Sequence, residues 1–288
     1  MKENLQVIYK QGQDKLTEAG IHDAAFDARA LLSFVMEIPF RDIPLHYMDE
    51  AADEQQERYE ELIGRRMSGE PLQYITGEQE FMGLTFHVDS RVLIPRLDTE
   101  ILAEEALEYV NRKLTRGDAV RVLDLCCGSG ALGLSIAALH SETDRLEVVI
   151  SDISEDALEV ARQNAEALGV SDRVAFVKGD LFENIEKSFD VIVCNPPYIR
   201  TDVIETLDKE VREHEPMLAL DGGADGLDIY RRIAEEAPGY LKEGGCLMME
   251  IGFDQAEEVA ELLYKNLQDV RIVKDLAGLD RVVSARMK

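Results

Sequence analysis

VRVLDLCCGSGALGLSIA, residues 120–137, is an apolar run that ends on a glycine-rich turn and passes directly into a helical pattern. A strand, a tight turn and a helix in that order open an α/β sheet, in which ligands sit at the carboxyl ends of the strands where the chain order reverses. Gly128 and Gly130 let the backbone turn sharply and approach a ligand closely. Further apolar strands follow at LEVVISD (146–152), RVAFVKGD (173–180), FDVIVCN (189–195) and GGCLMMEIG (244–252). Helical patterns at about 131–140, 155–168, 226–241 and 254–267 separate them. That alternation implies right-handed crossovers and an open parallel sheet covered on both faces. The tail differs: two strand-like runs, 270–274 and 281–286, are joined by a short loop without a helix, so they pair antiparallel or sit apart.

Upstream of residue 120 the character changes twice. Ala24, Ala28, Leu31, Leu32 and Val35 recur at helical spacing behind Asp23, a residue type suited to an N-cap. Pro39 and Pro44 interrupt that pattern, and a second helix over about 53–67 places Tyr59, Leu62, Ile63 and Met67 on one stripe. From Gln73 to Pro95 the chain is rich in β-formers punctuated by Gly77 and Gly83, which reads as a hairpin. The expected organisation is a helical bundle over 1–72, a β-hairpin linker over 73–95 and an α/β domain over 96–288.

The 288 residues allow about two domains and a core that needs no disulfide. The four cysteines, Cys126, Cys127, Cys194 and Cys246, lie in apolar stretches without metal-ligand spacing or a companion His cluster. They read as reduced thiols in a reducing compartment, with no metal site. The N-terminus lacks a signal-peptide core, and no apolar run reaches the roughly 20 residues that span a bilayer. A cytoplasmic protein with no membrane partner is expected, and a monomer. Formal net charge is −27, with −7 in residues 1–75 and −20 in the remainder. Phosphate affinity comes from Lys and Arg, so no direct nucleic-acid partner is expected and a protein or small molecule is favoured.

The glycine-rich turn alone leaves two ligand classes open. Gly128-Ser129-Gly130-Ala131-Leu132-Gly133 is a GxGxxG, as in dinucleotide-binding folds. Asp124 within the first strand and Asp152 closing the second suit equally the nucleoside of S-adenosylmethionine, because a carboxylate at that station accepts hydrogen bonds from ribose hydroxyls.

The fourth strand separates the two. FDVIVCN runs into Pro196-Pro197-Tyr198, and prolines cannot donate to a sheet, so the strand must stop there. The residue before a proline is held extended, which fixes Asn195 at the rim. The Asn195 side-chain oxygen and the Pro196 carbonyl are acceptors, and together they suit a planar –NH2 group with two donors. Tyr198 offers an aromatic face for packing against such a group. An amide nitrogen is a poor nucleophile, so orientation and preorganised dipoles are the catalytic terms such a loop would supply.

With these residues in view, the chain resembles the HemK/PrmC family of protein-(glutamine-N5) methyltransferases. The likeness runs through GEPLQYITGEQEFMGLTFHVDSRVLIPRLDTE (69–100), VLDLCCGSGALGLSIA (122–137), SDISEDALEVARQNA (151–165), CNPPYI (194–199), EVREHEPMLALDGGADGLDIYRRI (210–233), GGCLMMEIGFDQ (244–255) and DLAGLDRVV (275–283). It implies a Rossmann-like class I methyltransferase with a seven-stranded, mostly parallel sheet whose last strand is antiparallel, a helical N-terminal domain and a hairpin linker. The implied reaction moves a methyl group from S-adenosylmethionine to the glutamine of the Gly-Gly-Gln motif in bacterial peptide-chain release factors. By that resemblance Asp124, Cys126, Cys127, Gly128, Ser129, Gly130, Asp152, Asp180 and Leu181 contact the cofactor, and Asn195 serves both cofactor and amide. Pro196, Pro197 and Tyr198 complete the substrate grip, and Phe81 and Phe86 wall the glutamine pocket.

The chain departs from the family pattern at two places, with Cys126-Cys127 where Gly-Thr is usual and Leu97-Asp98 where Pro-Glu is usual. A Cys in place of the first loop glycine requires φ to stay negative there. Alternatives are glutamine methylation of a ribosomal protein, amino-group methylation of a flipped nucleic-acid base, an NAD(P) oxidoreductase resting on the GxGxxG alone, and an adaptor with a degenerate site.

Overall fold

A computed structural model describes residues 3–140 and 144–288. The chain divides into two compact units, one reaching Gly77 and also taking in Asp208–His214, the other comprising Glu78–Leu207 and Glu215–Lys288.

The first unit is helical. It contains α1 (Leu5–Glu18), α2 (Ala24–Met36), α3 (Asp53–Met67) and the short α4 (Leu72–Thr76). The helical stripes expected from the sequence meet in one core, with Ala28, Leu31, Leu32, Tyr59, Leu62 and Ile63 buried together, while Met67 remains exposed. Asp23 precedes α2, yet its carboxylate turns to His22 (3.1 Å) and caps nothing. Within this unit Arg66 is buried on α3 and is held by Asp27 (2.7 Å), by the Glu70 carbonyl (3.0 Å) and by Glu210 (2.8 Å). Burial pushes the Asp27 carboxyl up, and the Arg66 guanidinium opposes that shift.

The second unit begins with a hairpin, β1 (Glu78–Phe81) and β2 (Leu84–His87), followed by α5 (Thr99–Thr115). Then strands and helices alternate: β3 (Val120–Leu125), α6 (Ala131–Leu139), β4 (Leu146–Asp152), α7 (Glu155–Ala167), β5 (Val174–Lys178) and β6 (Phe189–Cys194). Three short helices follow, α8 (Thr201–Ile204), α9 (Lys209–His214, part of the first unit) and α10 (Met217–Leu220). The chain ends with α11 (Asp228–Glu236), β7 (Leu241–Glu250), α12 (Ala256–Tyr264), β8 (Gln268–Lys274) and β9 (Asp280–Arg286).

Seven strands form one sheet in the order β5-β4-β3-β6-β7-β9-β8. Pairings from β5 to β7 are parallel, and β9 lies antiparallel between β7 and β8. The tail runs therefore pair, and only β9 opposes the others. Alternation along each strand divides the core. Val122, Val148, Ile150, Val191 and Val193 face one layer, with α5 to α7 and the hairpin. Leu123, Leu125, Val149, Ile192 and Cys194 face the other, with α11 and α12.

One side chain ties the hairpin to the glycine-rich turn after β3. Asn164 on α7 is fully buried; its Nδ2 donates to the carbonyls of His87 (3.0 Å) and Ser129 (2.9 Å), and its Oδ1 accepts from the His87 amide (2.6 Å). Asn164→Ala strands the buried Ser129 carbonyl and the part-buried carbonyl and amide of His87, and a buried group left unsatisfied costs about 1–3 kcal/mol. Urea unfolding is expected to show a loss on the order of 3 kcal/mol, whereas exposed Gln163→Ala stays within about 0.5 kcal/mol.

Candidate active site

The strand register brings the predicted stations together. Leu125 pairs with Ser151 on one side and Cys194 on the other, so the residues that follow them, Cys126, Asp152 and Asn195, emerge at one edge of the sheet. They border a cavity of about 300 Å³. Cys127, Gly128 and Ser129 from the turn also line it, as do Asp180 and Leu181 after β5 and Pro197 after β6.

The turn is a left-handed path. Gly128 has φ 53° and Gly130 has φ 80°. Cys126 has φ 56°, so the negative φ expected for a cysteine at this position is not what the fold adopts. The loop demands a left-handed residue here, and Cys takes that conformation at a cost of about 1–2 kcal/mol. Gly130 does not reach the cavity wall; a Cβ there would meet Leu134 Cδ1 at 2.9 Å and Ala161 Cβ at 3.1 Å, so its part is close packing of the turn against α6 and α7.

Two carboxylates support this turn. Asp152 accepts from the Gly128 amide (2.9 Å) with one oxygen and from the Ser154 amide (2.9 Å) with the other. Burial raises its pKa, and the backbone amides oppose the rise. Asp124 is fully buried beneath the turn and accepts from the Gly133 amide (2.8 Å). It does not line the cavity, so its expected contact with the cofactor is replaced by a supporting role. Burial, with the nearby charge of Asp152, pushes its carboxyl up to about 7 against the pull of the Gly133 amide.

The Asn-Pro-Pro-Tyr loop divides its work. Asn195 and Pro197 face the cavity, while Pro196 is buried behind them. Asn195 Nδ2 is turned to Thr99 Oγ1 at 3.3 Å. Tyr198 does not line the cavity either; its ring packs against the lower core and its hydroxyl reaches Glu250 Oε1 at 3.3 Å. Its main-chain carbonyl accepts from Gln255 Nε2 (3.0 Å), which anchors the loop from behind. The expected aromatic platform for the substrate is thus an anchor, because burial beside Glu250 uses the ring elsewhere. Phe81 and Phe86 also depart from expectation. Both are fully buried edge to face, 6.1 Å apart, in the core with Leu102, Ala103 and Ala106, and neither walls the cavity.

Several wall residues carried no motif signal in the sequence. Thr99 opens α5 and is 5% exposed. Arg91 lines the cavity while paired with Asp89 (2.6 Å), and Arg232 does so while paired with Asp180 (3.0 Å). Among the described residues no cluster of three or more His, Cys, Asp or Glu is placed to hold a metal ion.

Comparison with known proteins agrees with this geometry. The family described as PrmC N-terminal domain matches residues 8–77, and the Methyltransferase small domain matches residues 99–214. A release factor glutamine methyltransferase of Clostridium acetobutylicum is 43% identical over 263 residues, covering 90% of each chain. Its counterpart in Agrobacterium fabrum is 41% identical over 94% of this chain and 93% of its own. This chain belongs to the release factor glutamine methyltransferase family. Another relative of that name, from Clostridium botulinum, is 39% identical and spans 98% of this chain and 99% of its own. Solved structures show the same fold at low identity. A methyltransferase from Pyrococcus furiosus has a TM-score of 0.51 at 20% identity, covering 72% of this chain and 90% of its own. The Thermus thermophilus 16S rRNA N2 G1207 methyltransferase, in complex with AdoMet and guanosine, has a TM-score of 0.51 at 20% identity, covering 73% of this chain and 50% of its own.

Enzymes of this family are S-adenosylmethionine-dependent, and the cavity suits that cofactor. A left-handed turn exposes backbone close to the cavity, and an acid whose two oxygens are already oriented by amides stands where ribose hydroxyls would donate. Bound there, S-adenosylmethionine supplies an electrophilic methyl group on a sulfonium.

Two outcomes follow from the turn. Cys126→Gly is expected to unfold within about 1 kcal/mol of the parent, while Cys126→Val, a branched residue forced left-handed, loses about 1–3 kcal/mol and binds cofactor more weakly by calorimetry. The second concerns Asp124. Its folded pKa lies above the unfolded value near 3.9, so the folded state holds an extra proton in that window and this group's contribution to stability falls as pH rises toward 7. Asp124→Asn is therefore expected to gain melting temperature relative to the parent between pH 5.5 and 8; a constant difference across that range would refute the assignment.

Proposed function

We propose that this chain methylates the side-chain amide nitrogen, N5, of the glutamine in the Gly-Gly-Gln motif of peptide-chain release factors. The observation that carries the reading is the placement of Asn195. Its carboxamide stands on the wall shared with Cys126 and Asp152, and its NH2 is engaged by Thr99, so its oxygen is the group left to accept from a substrate. The names and end-to-end coverage of the relatives support the same substrate.

In this reading Asn195 Oδ1 and the Pro196 carbonyl accept the two amide hydrogens of the glutamine and hold its nitrogen toward the cofactor side of the cavity. Fixing both N–H bonds favours a nitrogen with a more localised lone pair, and the acceptors are oriented before positive charge develops on it. Cys126 to Ser129, Asp152, Asp180 and Leu181 hold the nucleoside. Pro197 packs at the mouth, and Gln255 and Glu250 fix Tyr198 so that the loop cannot recoil. The helical segment, expected over residues 1–72, docks the protein substrate, with the hairpin as linker to the catalytic domain. The reading takes the enzyme as a cytoplasmic monomer with no nucleic-acid partner; the −27 net charge supports the last point, and no helix among the described residues is long and apolar enough to cross a membrane.

Incubation with labelled S-adenosylmethionine and intact release factor is expected to transfer label, and a release factor whose Gly-Gly-Gln ends in Ala is expected to receive none. Equal labelling of both would remove the proposed target. Asn195→Ala is expected to lower kcat at least a hundredfold while cofactor affinity by calorimetry stays within about twofold.

A further inference from the structure

The stations of the cavity stand in strand order. Asp152 pairs with Lys178 at the end of β5, so Gly179, Asp180 and Leu181 emerge beside it, at the edge that carries Cys126 and Asn195. Neighbouring strands lie about 4.8 Å apart, so the row from Asn195 through Cys126 and Asp152 to Asp180 is on the order of 14 Å long. A ligand whose ribose meets Asp152 and whose methyl group faces Asn195 has its base at the β5 end. There Ile153, Ala157, Leu181 and Ile229 give the cavity an apolar wall, which suits the faces of a planar ring. One charged pair interrupts that wall. Arg232 Nη2 stands 3.0 Å from Asp180 Oδ1, and the two side chains, 42% and 45% exposed, both line the cavity. Ile229 and Arg232 are three residues apart on α11 and so share one face of that helix.

We propose that Arg232 is a positioning residue that, by holding Asp180, makes the β5 end of the cavity select a 6-amino purine over a 6-oxo purine. The inference rests on the reading that Asp180 and Leu181 hold the nucleoside. A purine's 6-amino group donates, whereas a 6-oxo group accepts. A carboxylate accepts and does not donate. Asp180 therefore satisfies the first and repels the second, provided that its side chain stays turned to the cavity. Arg232 supplies that condition. Among the described residues it is the cation that pairs with Asp180, and its contact at Oδ1 leaves Oδ2 to accept from the base. A half-exposed carboxylate without this partner is free to swing into water, and the direction of the contact is lost with it. The guanidinium is always charged, so the pair persists wherever the carboxylate is ionised. A residue on α11 thereby sets the reading of a base by an acid at the tip of β5.

The test is calorimetric binding to the full chain, with S-adenosylhomocysteine and its deaminated counterpart, S-inosylhomocysteine, as the two probes. The parent is expected to bind the adenosyl form about tenfold more tightly or better, the lower end of what a hydrogen bond to a charged group contributes. Arg232→Ala, at a side chain nearly half exposed, keeps the melting temperature within about 2 °C and brings that ratio below about threefold. Arg232→Lys keeps the charge but not the planar fork, and retains a ratio above about fivefold. Asp180→Asn is the reference, because a carboxamide can donate as well as accept and so admits either base. If Asp180→Asn loses the selectivity while Arg232→Ala keeps the parental ratio, the positioning role is wrong and the nucleoside reading stands. If Arg232→Ala weakens both probes equally, packing or net charge is what matters, and the inference fails. If Asp180→Asn keeps the parental ratio, the base lies elsewhere, and the nucleoside reading fails together with this inference. A parent that binds the two probes alike overturns the selectivity outright.

Discussion

Asp124 and Asp152 lie beneath the same turn, and among the described residues neither forms a salt bridge. Burial pushes both carboxyls upward, and the charge of Asp152 adds to the rise at Asp124. What makes the arrangement tolerable is the loop above them. Its Gly128 amide, with those of Gly133 in the first turn of α6 and of Ser154, points at the acids and takes the place of a cation. The left-handed path through Cys126, Gly128 and Gly130 is the conformation in which the Gly128 amide meets Asp152. The turn shapes the acids' surroundings and the acids hold the turn. The cavity wall, the seat for a nucleoside and the spacing to the β6 loop all depend on that mutual support.

How much of this could be read from the chain depends on periodicity. The sheet announces itself because each central strand is buried on both faces and reads as an unbroken apolar run, and β9 is recognisable because no helix fits between residues 274 and 280. Asn195 and Asp152 are legible for a related reason, since each ends such a run. Phe81 and Phe86 mislead because an aromatic pair in a short hairpin has no period to say which face is dry; here both rings turn into the core. Tyr198 misleads in another way. Its neighbours Pro196 and Pro197 fix the backbone, but the partner of its hydroxyl, Glu250, lies more than fifty residues away. Thr99 gives no local sign because the segment before it has no regular structure, and only tertiary folding brings it to Asn195. Cys126 shows the opposite error: a rule about side chains predicts a negative φ, and the loop overrides it.

The proposed amide grip at Asn195 and the proposed nucleoside seat at Cys126 stand on adjacent, hydrogen-bonded strand tips. β3 and β6 are hydrogen-bonded partners through Leu125 and Cys194, so Cys126 and Asn195 leave the sheet side by side. A reaction that needs two molecules in line gains most from a scaffold of this kind, because little motion separates the two sites. The anchoring of Tyr198 from both its carbonyl and its hydroxyl serves the same end.

The helical unit has a consequence for modularity. Its buried guanidinium, Arg66, is matched by Asp27 from α2 and by Glu210 from a segment that enters the sequence more than a hundred residues later. Lys209 of that same segment donates to the Ser68 carbonyl (2.9 Å). The N-terminal helices are therefore not a self-contained cassette. Grafting them onto another catalytic core would bring along a positive charge without its second counter-ion, unless the Asp208–His214 insertion travelled with them. Recombination between relatives has to respect a boundary that the linear order of the chain conceals.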